Sequence, residues 1–104
     1  MKSLWLALAV APLLATPAPA AQMVGAYQPM DVSAPEVQEA RSAVEKAITG
    51  LRIDSVRAAY AQVVAGTNYK LVCLATDSSG QSTWEFVVWH RLDGSWQLNS
   101  AQRQ

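Results

Sequence analysis

The hydrophobic period of this chain changes once, near Gly50, and that change limits the folds open to it. Before Gly50, apolar residues recur at three- and four-residue spacing, which places them on one face of a helix. These residues are Val37, Ala40, Val44, Ala47, Ile48 and Leu51. Ser33 is expected to cap the helix, with Glu36 reaching back in a capping box and Pro35 in the first turn. Gly50 is expected to end it.

After Arg52 the apolar residues alternate with polar ones, which is the period of strands with one buried face. The first strand changes phase near Asp54-Ser55, where a bulge is predicted. Beyond this bulge, one face is predicted to hold Val56, Ala58 and Tyr60. The buried faces of the next two strands are predicted to hold Tyr69, Leu71, Cys73 and Ala75, and then Trp84, Phe86, Val88 and His90. A turn at residues 77–80 separates these two strands, and a last strand is expected to begin near Trp96.

This order of segments predicts the fold class. A helix of this length is not stable alone in water, so its apolar face must pack on the sheet that the later segments form. A short strand is also expected near residues 27–32, before the helix. The sequence therefore predicts an α+β fold, with one long helix packed across an antiparallel sheet of four to five strands.

The first 20 residues have the features of a secretory signal peptide. Lys2 is followed by an apolar stretch over residues 4–14 and by Ala18-Pro19-Ala20, a small-residue pattern of the kind that signal peptidase cleaves after. The apolar stretch is interrupted by Pro12 and is too short to cross a membrane. We therefore expect a signal peptide at residues 1–20 and one domain at residues 21–104. The protein is expected to be secreted or periplasmic, without a membrane anchor.

Charge and cysteine content exclude several classes of function. Without Lys2 the chain has seven Lys and Arg against eight Asp and Glu, and it has no basic run that could hold a phosphate backbone. We therefore expect no nucleic-acid partner. The single cysteine, Cys73, allows no internal disulfide, and only His90 could join it as a soft or nitrogen ligand. We expect neither a metal nor another cofactor.

The junction of the first two long strands carries the most informative motif, Gln62-Val63-Val64-Ala65-Gly66. Here the chain resembles the cystatins, whose hallmark is Q-x-V-x-G at the tip of a hairpin. The motif follows a single long helix in a chain with a signal peptide, and the resemblance extends over about residues 23–98. The alternative interpretation of these five residues is a plain hairpin turn with a buried valine pair.

The resemblance implies a binding surface made of three segments. Gly25 matches the family's N-terminal glycine, and the residues before it, Met23 and Val24, would lie along the protease's substrate-binding subsites. Residues 62–66 match the first hairpin. Trp96, after Asp93-Gly94-Ser95, matches the tryptophan of the second hairpin, although many family members have proline where this chain has Ser95. The predicted protease-binding residues are Val24, Gly25, Gln62, Val63, Val64, Ala65, Gly66 and Trp96. The alternatives are a glycine in a loose terminus and a tryptophan packed in the core.

The function implied by the resemblance is reversible, tight-binding inhibition of papain-like cysteine proteases by occlusion of the active-site cleft. The protein is not expected to be an enzyme, because a nucleophile and base would have to be Cys73 and His90, and Cys73 lies within a strand. A cystatin-fold module that binds a protein without inhibiting a protease remains the alternative. We expect a monomer as the active form, and exchange of strands between two copies would give a dimer.

Overall fold

The computed structural model describes residues 25–104, which form one helix and five strands. The strands are β1 (Gln28–Met30), β2 (Arg52–Val64), β3 (Gly66–Asp77), β4 (Gly80–His90) and β5 (Trp96–Arg103), and the helix is α1 (Pro35–Ala47). The strands pair in chain order as one antiparallel sheet. The predicted α+β fold is confirmed, with five strands. The predicted signal peptide at residues 1–20 lies outside the described residues.

The core lies between α1 and one face of the sheet. Val37, Ala40 and Val44 of the helix are fully buried, as the helical period predicts. Alternate residues of β3 and β4 cover the sheet side of the core, which confirms the predicted period of two. These residues are Tyr69, Leu71, Cys73 and Ala75 on β3, and Phe86 and Val88 on β4, with Trp84 packed against them.

Both ends of the helix differ from the sequence prediction. The Ncap is Ala34, and it makes no side-chain capping bond. Ser33 instead donates its backbone N–H and its hydroxyl to the Asp31 carboxylate, at 2.9 Å and 2.7 Å. The predicted capping box of Ser33 and Glu36 is therefore wrong. Pro35 explains the shift, because a proline at the first helical position forces the preceding residue into the extended conformation that an Ncap adopts.

The helix ends at Ala47, so the prediction that Gly50 ends it is also wrong. Ile48 leaves the helix in an extended conformation, and its N–H bonds to the Val44 carbonyl at 3.1 Å. Gly50 lies in the turn beyond, with a φ of 85°. Ala47, the last residue of the helix, is exposed, contrary to its predicted place in the buried stripe, and Ala43 packs against the core instead.

Two bulges in β2 set which residues face the core. The register shifts between Ile53 and Ser55, as predicted, and shifts again between Val56 and Ala58. The second shift brings Ala59 into the core and leaves Tyr60 on the opposite face. The prediction that Val56, Ala58 and Tyr60 share a face is therefore wrong, because one extra residue reverses the alternation of a strand.

Candidate functional site: one edge of the sheet

The order of the strands places two hairpin turns at the same end of the sheet. The β2–β3 turn has its tip at Ala65, and the β4–β5 turn spans residues 91–95. The chain before β1 reaches this end as well, because Gln28 pairs with Ala61. We call this end, formed by Gly25, residues 62–66 and residues 91–95, the hairpin edge. The β3–β4 turn lies at the far end of the sheet.

The first hairpin exposes its valines. Val64 pairs with Gly66, which leaves Ala65 alone at the tip. Val63 is 72% exposed and Val64 is 42% exposed. The alternative of a buried valine pair is therefore excluded. Large apolar side chains that stay exposed next to one another at a turn mark a surface suited to binding.

Gln62 connects the N-terminal segment to the first hairpin. Its side-chain Nε2 donates to the carbonyl of Gly25, and its Oε1 accepts from Asn68 Nδ2 at 2.9 Å. Tyr27 adds a second contact, since the ammonium of Lys70 lies 4.4 Å from the centre of its ring. Gly25 is thereby held beside the hairpin rather than free in solution. Val24 lies outside the described residues.

Gly66 lies against the backbone of the second hairpin. Its φ of 92° is one that side chains rarely adopt. A Cβ at this position would also overlap the carbonyl oxygen of His90, and it would lie 3.2 Å from the Cα of Arg91. Glycine is therefore required here for two independent reasons, one of conformation and one of space.

The second hairpin is closed by its own polar groups. The Arg91 N–H bonds to the Ser95 carbonyl at 2.8 Å, and the Asp93 carboxylate accepts from the N–H and hydroxyl of Ser95, at 2.9 Å and 2.6 Å. These bonds from Ser95 lower the pKa of Asp93. Proline has neither an N–H nor a hydroxyl, so a proline at position 95 could donate neither bond. Ser95 therefore allows a turn that Asp93 closes. Its tip presents Leu92, which is 81% exposed.

Trp96 faces the helix side of the sheet. Its ring stacks on His90, with centroids 4.1 Å apart and planes 5° apart, and it contacts Tyr69 at 5.7 Å. It is half-buried and packs against the core. One side of the ring borders an open groove of about 610 Å³ along α1. The structure thus brings Trp96 to the base of the second hairpin, and Leu92 to its tip.

The sequence prediction missed one residue at this edge, Leu92, and one beside it, Trp89. Leu92 is an apolar residue in the middle of a polar turn, Arg91-Leu92-Asp93-Gly94. Trp89 is a large aromatic residue out of phase with the buried face of β4, and its Nε1 donates to the Ala65 carbonyl at 2.8 Å. In both cases the sequence contains an indication of the role, because a large apolar side chain stands where the local pattern predicts a polar one.

Cys73 and His90 do not meet. Cys73 is fully buried, and burial raises the pKa of its thiol to about 12, so the thiol stays protonated at neutral pH. His90 pairs with Thr67, six residues from Cys73 along β3, which is a separation of roughly 20 Å. This pair therefore forms no nucleophile and base. Within residues 25–104 no cluster of three or more His, Cys, Asp or Glu could hold a metal ion.

The one helix of the described region, α1, is too short and too polar to cross a membrane.

The chain is similar to known proteins in sequence and in fold. No protein-family profile matches the chain. The chain is 40% identical over 73 residues to a protein of Actinidia chinensis var. chinensis named cysteine proteinase inhibitor 1. The match covers 64% of this chain and 63% of that relative.

Two solved structures share the fold. A salivary cystatin of the soft tick Ornithodoros moubata superposes with a TM-score of 0.64 at 20% identity, over 77% of this chain and 97% of its own. Mialostatin, a gut cystatin of the hard tick Ixodes ricinus, gives a TM-score of 0.62 at 16% identity, over 75% and 96%. The two tick structures show that this chain has the cystatin fold, and the plant inhibitor is similar to it in sequence over 73 residues.

Proposed function

We propose that this protein is a reversible, tight-binding inhibitor of papain-like cysteine proteases. It blocks the active-site cleft with three segments, which are the chain up to Gly25, the first hairpin at residues 62–66 and the second hairpin at residues 91–95. The N-terminal segment contributes Val24 and Gly25. The protein is expected to act as a monomer outside the cytoplasm, after removal of residues 1–20.

One observation carries the proposal: three segments distant in sequence meet at one edge, and the two turns present exposed apolar side chains there. Val63, Val64 and Leu92 are exposed at the two turns. Their exposure to water is unfavourable in the free protein, and it is relieved when a partner covers them. The name of the plant relative, cysteine proteinase inhibitor 1, supports a cysteine protease as the class of partner.

The mechanism requires no reactive group from the inhibitor. The hairpin edge supplies shape and apolar surface, while Gln62 and Gly66 fix the positions of the three segments. Inhibition of this kind is reversible, because no bond forms or breaks. Trp96 supports the second hairpin from its base through its stacking on His90, so its contribution to protease binding is in part indirect.

The experiment is a titration of papain with the purified protein at low enzyme concentration, with a fluorogenic peptide as the reporter. We expect complete, reversible inhibition at submicromolar protein and no inhibition of trypsin in parallel. Absence of papain inhibition at micromolar protein would contradict the proposal and favour the alternative of a binding module without inhibition. Cleavage of the peptide by the protein alone, lost on Cys73→Ala, would instead indicate an enzyme.

A further inference from the structure

We propose that Trp89 is the positioning residue of the hairpin edge: its indole N–H fastens the first hairpin to the second, so that both meet a protease as one rigid surface. This inference rests on the proposed function and names a residue that the resemblance does not assign. Its physical basis is a set of contacts between the two turns.

The location of Trp89 first separates it from the core. The buried face of β4 is formed by Phe86 and Val88, and Trp89 points to the opposite side of the sheet. Its neighbours in the alternation on that side, Val87 and Glu85, do not reach either turn, because they lie further along the strand. A large ring at this position therefore does not serve the packing against α1.

The contacts of the indole then join the two hairpins. Nε1 donates to the carbonyl of Ala65, the tip residue of the first hairpin, at 2.8 Å. The guanidinium of Arg91, the first residue of the second turn, lies 5.2 Å from the ring centre, within the range of a cation–π interaction. The indole thus contacts both turns at once, and a groove of about 290 Å³ remains between them.

Gly66 shows that the two hairpins fit closely at this point. A Cβ on Gly66 would lie 3.1 Å from the indole Nε1, and it would overlap the His90 carbonyl. The hydrogen bond from Trp89 to Ala65 therefore lies beside a close contact between the backbone of Gly66 and the backbone of His90. Because Ala65 lies alone at the tip, its carbonyl has no cross-strand partner in the β2–β3 pairing, and the indole satisfies it.

The expected role is preorganisation. A hairpin that can bend away from its neighbour must be fixed when the protease binds, and this ordering opposes association. With the hydrogen bond in place, the relative position of Val63 and Leu92 is set before binding. Since a neutral hydrogen bond contributes on the order of 1 kcal/mol, its loss should weaken inhibition about fivefold.

The test compares two substitutions on the same strand. Trp89→Phe keeps an aromatic ring and removes the N–H that binds Ala65. Trp84→Phe is the matched control, because Trp84 lies five positions away on β4 and its Nε1 is buried without a hydrogen-bond partner among the described residues. For each variant, active-site titration of papain counts the competent inhibitor, and the inhibition constant is then measured at that concentration.

We expect Trp89→Phe to raise the inhibition constant about fivefold, mainly through faster dissociation, and Trp84→Phe to leave it unchanged. A purely structural role of Trp89 would lower the competent fraction without changing the inhibition constant of that fraction. An inhibition constant within twofold of the unsubstituted protein would overturn the proposal while leaving the proposed function intact.

A second measurement does not depend on inhibition. In the free ¹⁵N-labelled protein, the indole proton of Trp89 should exchange with solvent far more slowly than that of an unbonded indole, because the Ala65 carbonyl holds it. Fast exchange would overturn the proposal by itself. If the unsubstituted protein fails to inhibit papain, this measurement still decides whether the two hairpins are joined.

Discussion

Gly66 and Gly80 begin neighbouring strands at opposite ends of the sheet, and they differ in what surrounds them. Both have a positive φ, 92° and 114°. A Cβ on Gly80 would meet nothing within 4 Å, whereas a Cβ on Gly66 would overlap the His90 carbonyl. At the far end glycine is required only by the geometry of a turn. At the hairpin edge it is required by the same geometry and also because two hairpins pack against each other.

The polar groups of the two ends differ in the same way. At the far end, Asp54 accepts hydrogen bonds from Thr76 at 2.6 Å, from Gln81 at 3.0 Å and from Arg52 at 2.8 Å. Asp77 accepts from the Ser79 N–H and pairs with Arg103. At this end, the two carboxylates are paired with neighbouring side chains and with a backbone N–H. The hairpin edge instead leaves Val63, Val64 and Leu92 exposed, so one end completes the fold and the other remains available for binding.

The largest effect on inhibition is expected from a side chain on Gly66. Gly66→Ala forces the two hairpins apart, and we expect a loss of papain affinity of about a hundredfold. Gly80→Ala is the matched control, since it meets the same conformational strain without the overlap. Both variants should lose stability in urea, and only Gly66→Ala should lose affinity. Equal inhibition by the two variants would show that the edge does not contact the protease.

A charge at the tip of the first hairpin should have the next largest effect. Val63→Asp places a carboxylate where we expect an apolar contact, and its desolvation should reduce affinity roughly thirtyfold. Ser78→Asp adds the same charge in the turn at the far end and should leave inhibition unchanged. Inhibition constants at two salt concentrations separate this desolvation from a long-range effect of charge.

Substitutions at Leu92 and Trp96 should have different effects, the first mainly on papain affinity and the second mainly on stability. Truncation of the exposed Leu92 to alanine should lower affinity about tenfold, through lost apolar contact, with little change in the urea midpoint. Trp96→Ala removes stacking on His90 and packing against the core, so it should destabilise the protein by roughly 2 kcal/mol. The reverse result, with affinity lost mainly on Trp96→Ala in the competent fraction, would assign the contact to Trp96.

The smallest effect on inhibition is expected at Asp54, where only acid stability should change. Hydrogen bonds from Gln81, Thr76 and Arg52 hold the pKa of Asp54 well below its usual value. The stabilisation is therefore fully present above the unfolded-state pKa, near 4, and is lost as pH falls through the lower folded-state pKa. Asp54→Asn should reduce the dependence of the urea midpoint on pH below about 4. Papain inhibition at neutral pH should not change.

Much of this protein was determined by its sequence alone. The change of period near Gly50 predicted one helix and an antiparallel sheet, because an element with one buried face must repeat its apolar residues at its own period. The buried residues of α1, β3 and β4 followed from that rule, with the exception of Ala47. The pentapeptide at residues 62–66 predicted the first hairpin and, through the resemblance it carries, the cystatin fold. Local rules sufficed wherever a residue's environment depended on its own element.

Only the tertiary structure decided how the elements meet. A second bulge beyond Val56 turned Tyr60 away from the core, and nothing in the local pattern fixed its position. Three contacts join residues that lie 24 to 37 positions apart in the chain. They are Gly66 with His90, Trp89 with Ala65, and Gln62 with Gly25. Such contacts depend on the order and register of the strands, and not on the residues nearby in the chain. The sequence therefore determined which hairpin carries the motif, and the packing of the sheet determined which side chains stand beside it.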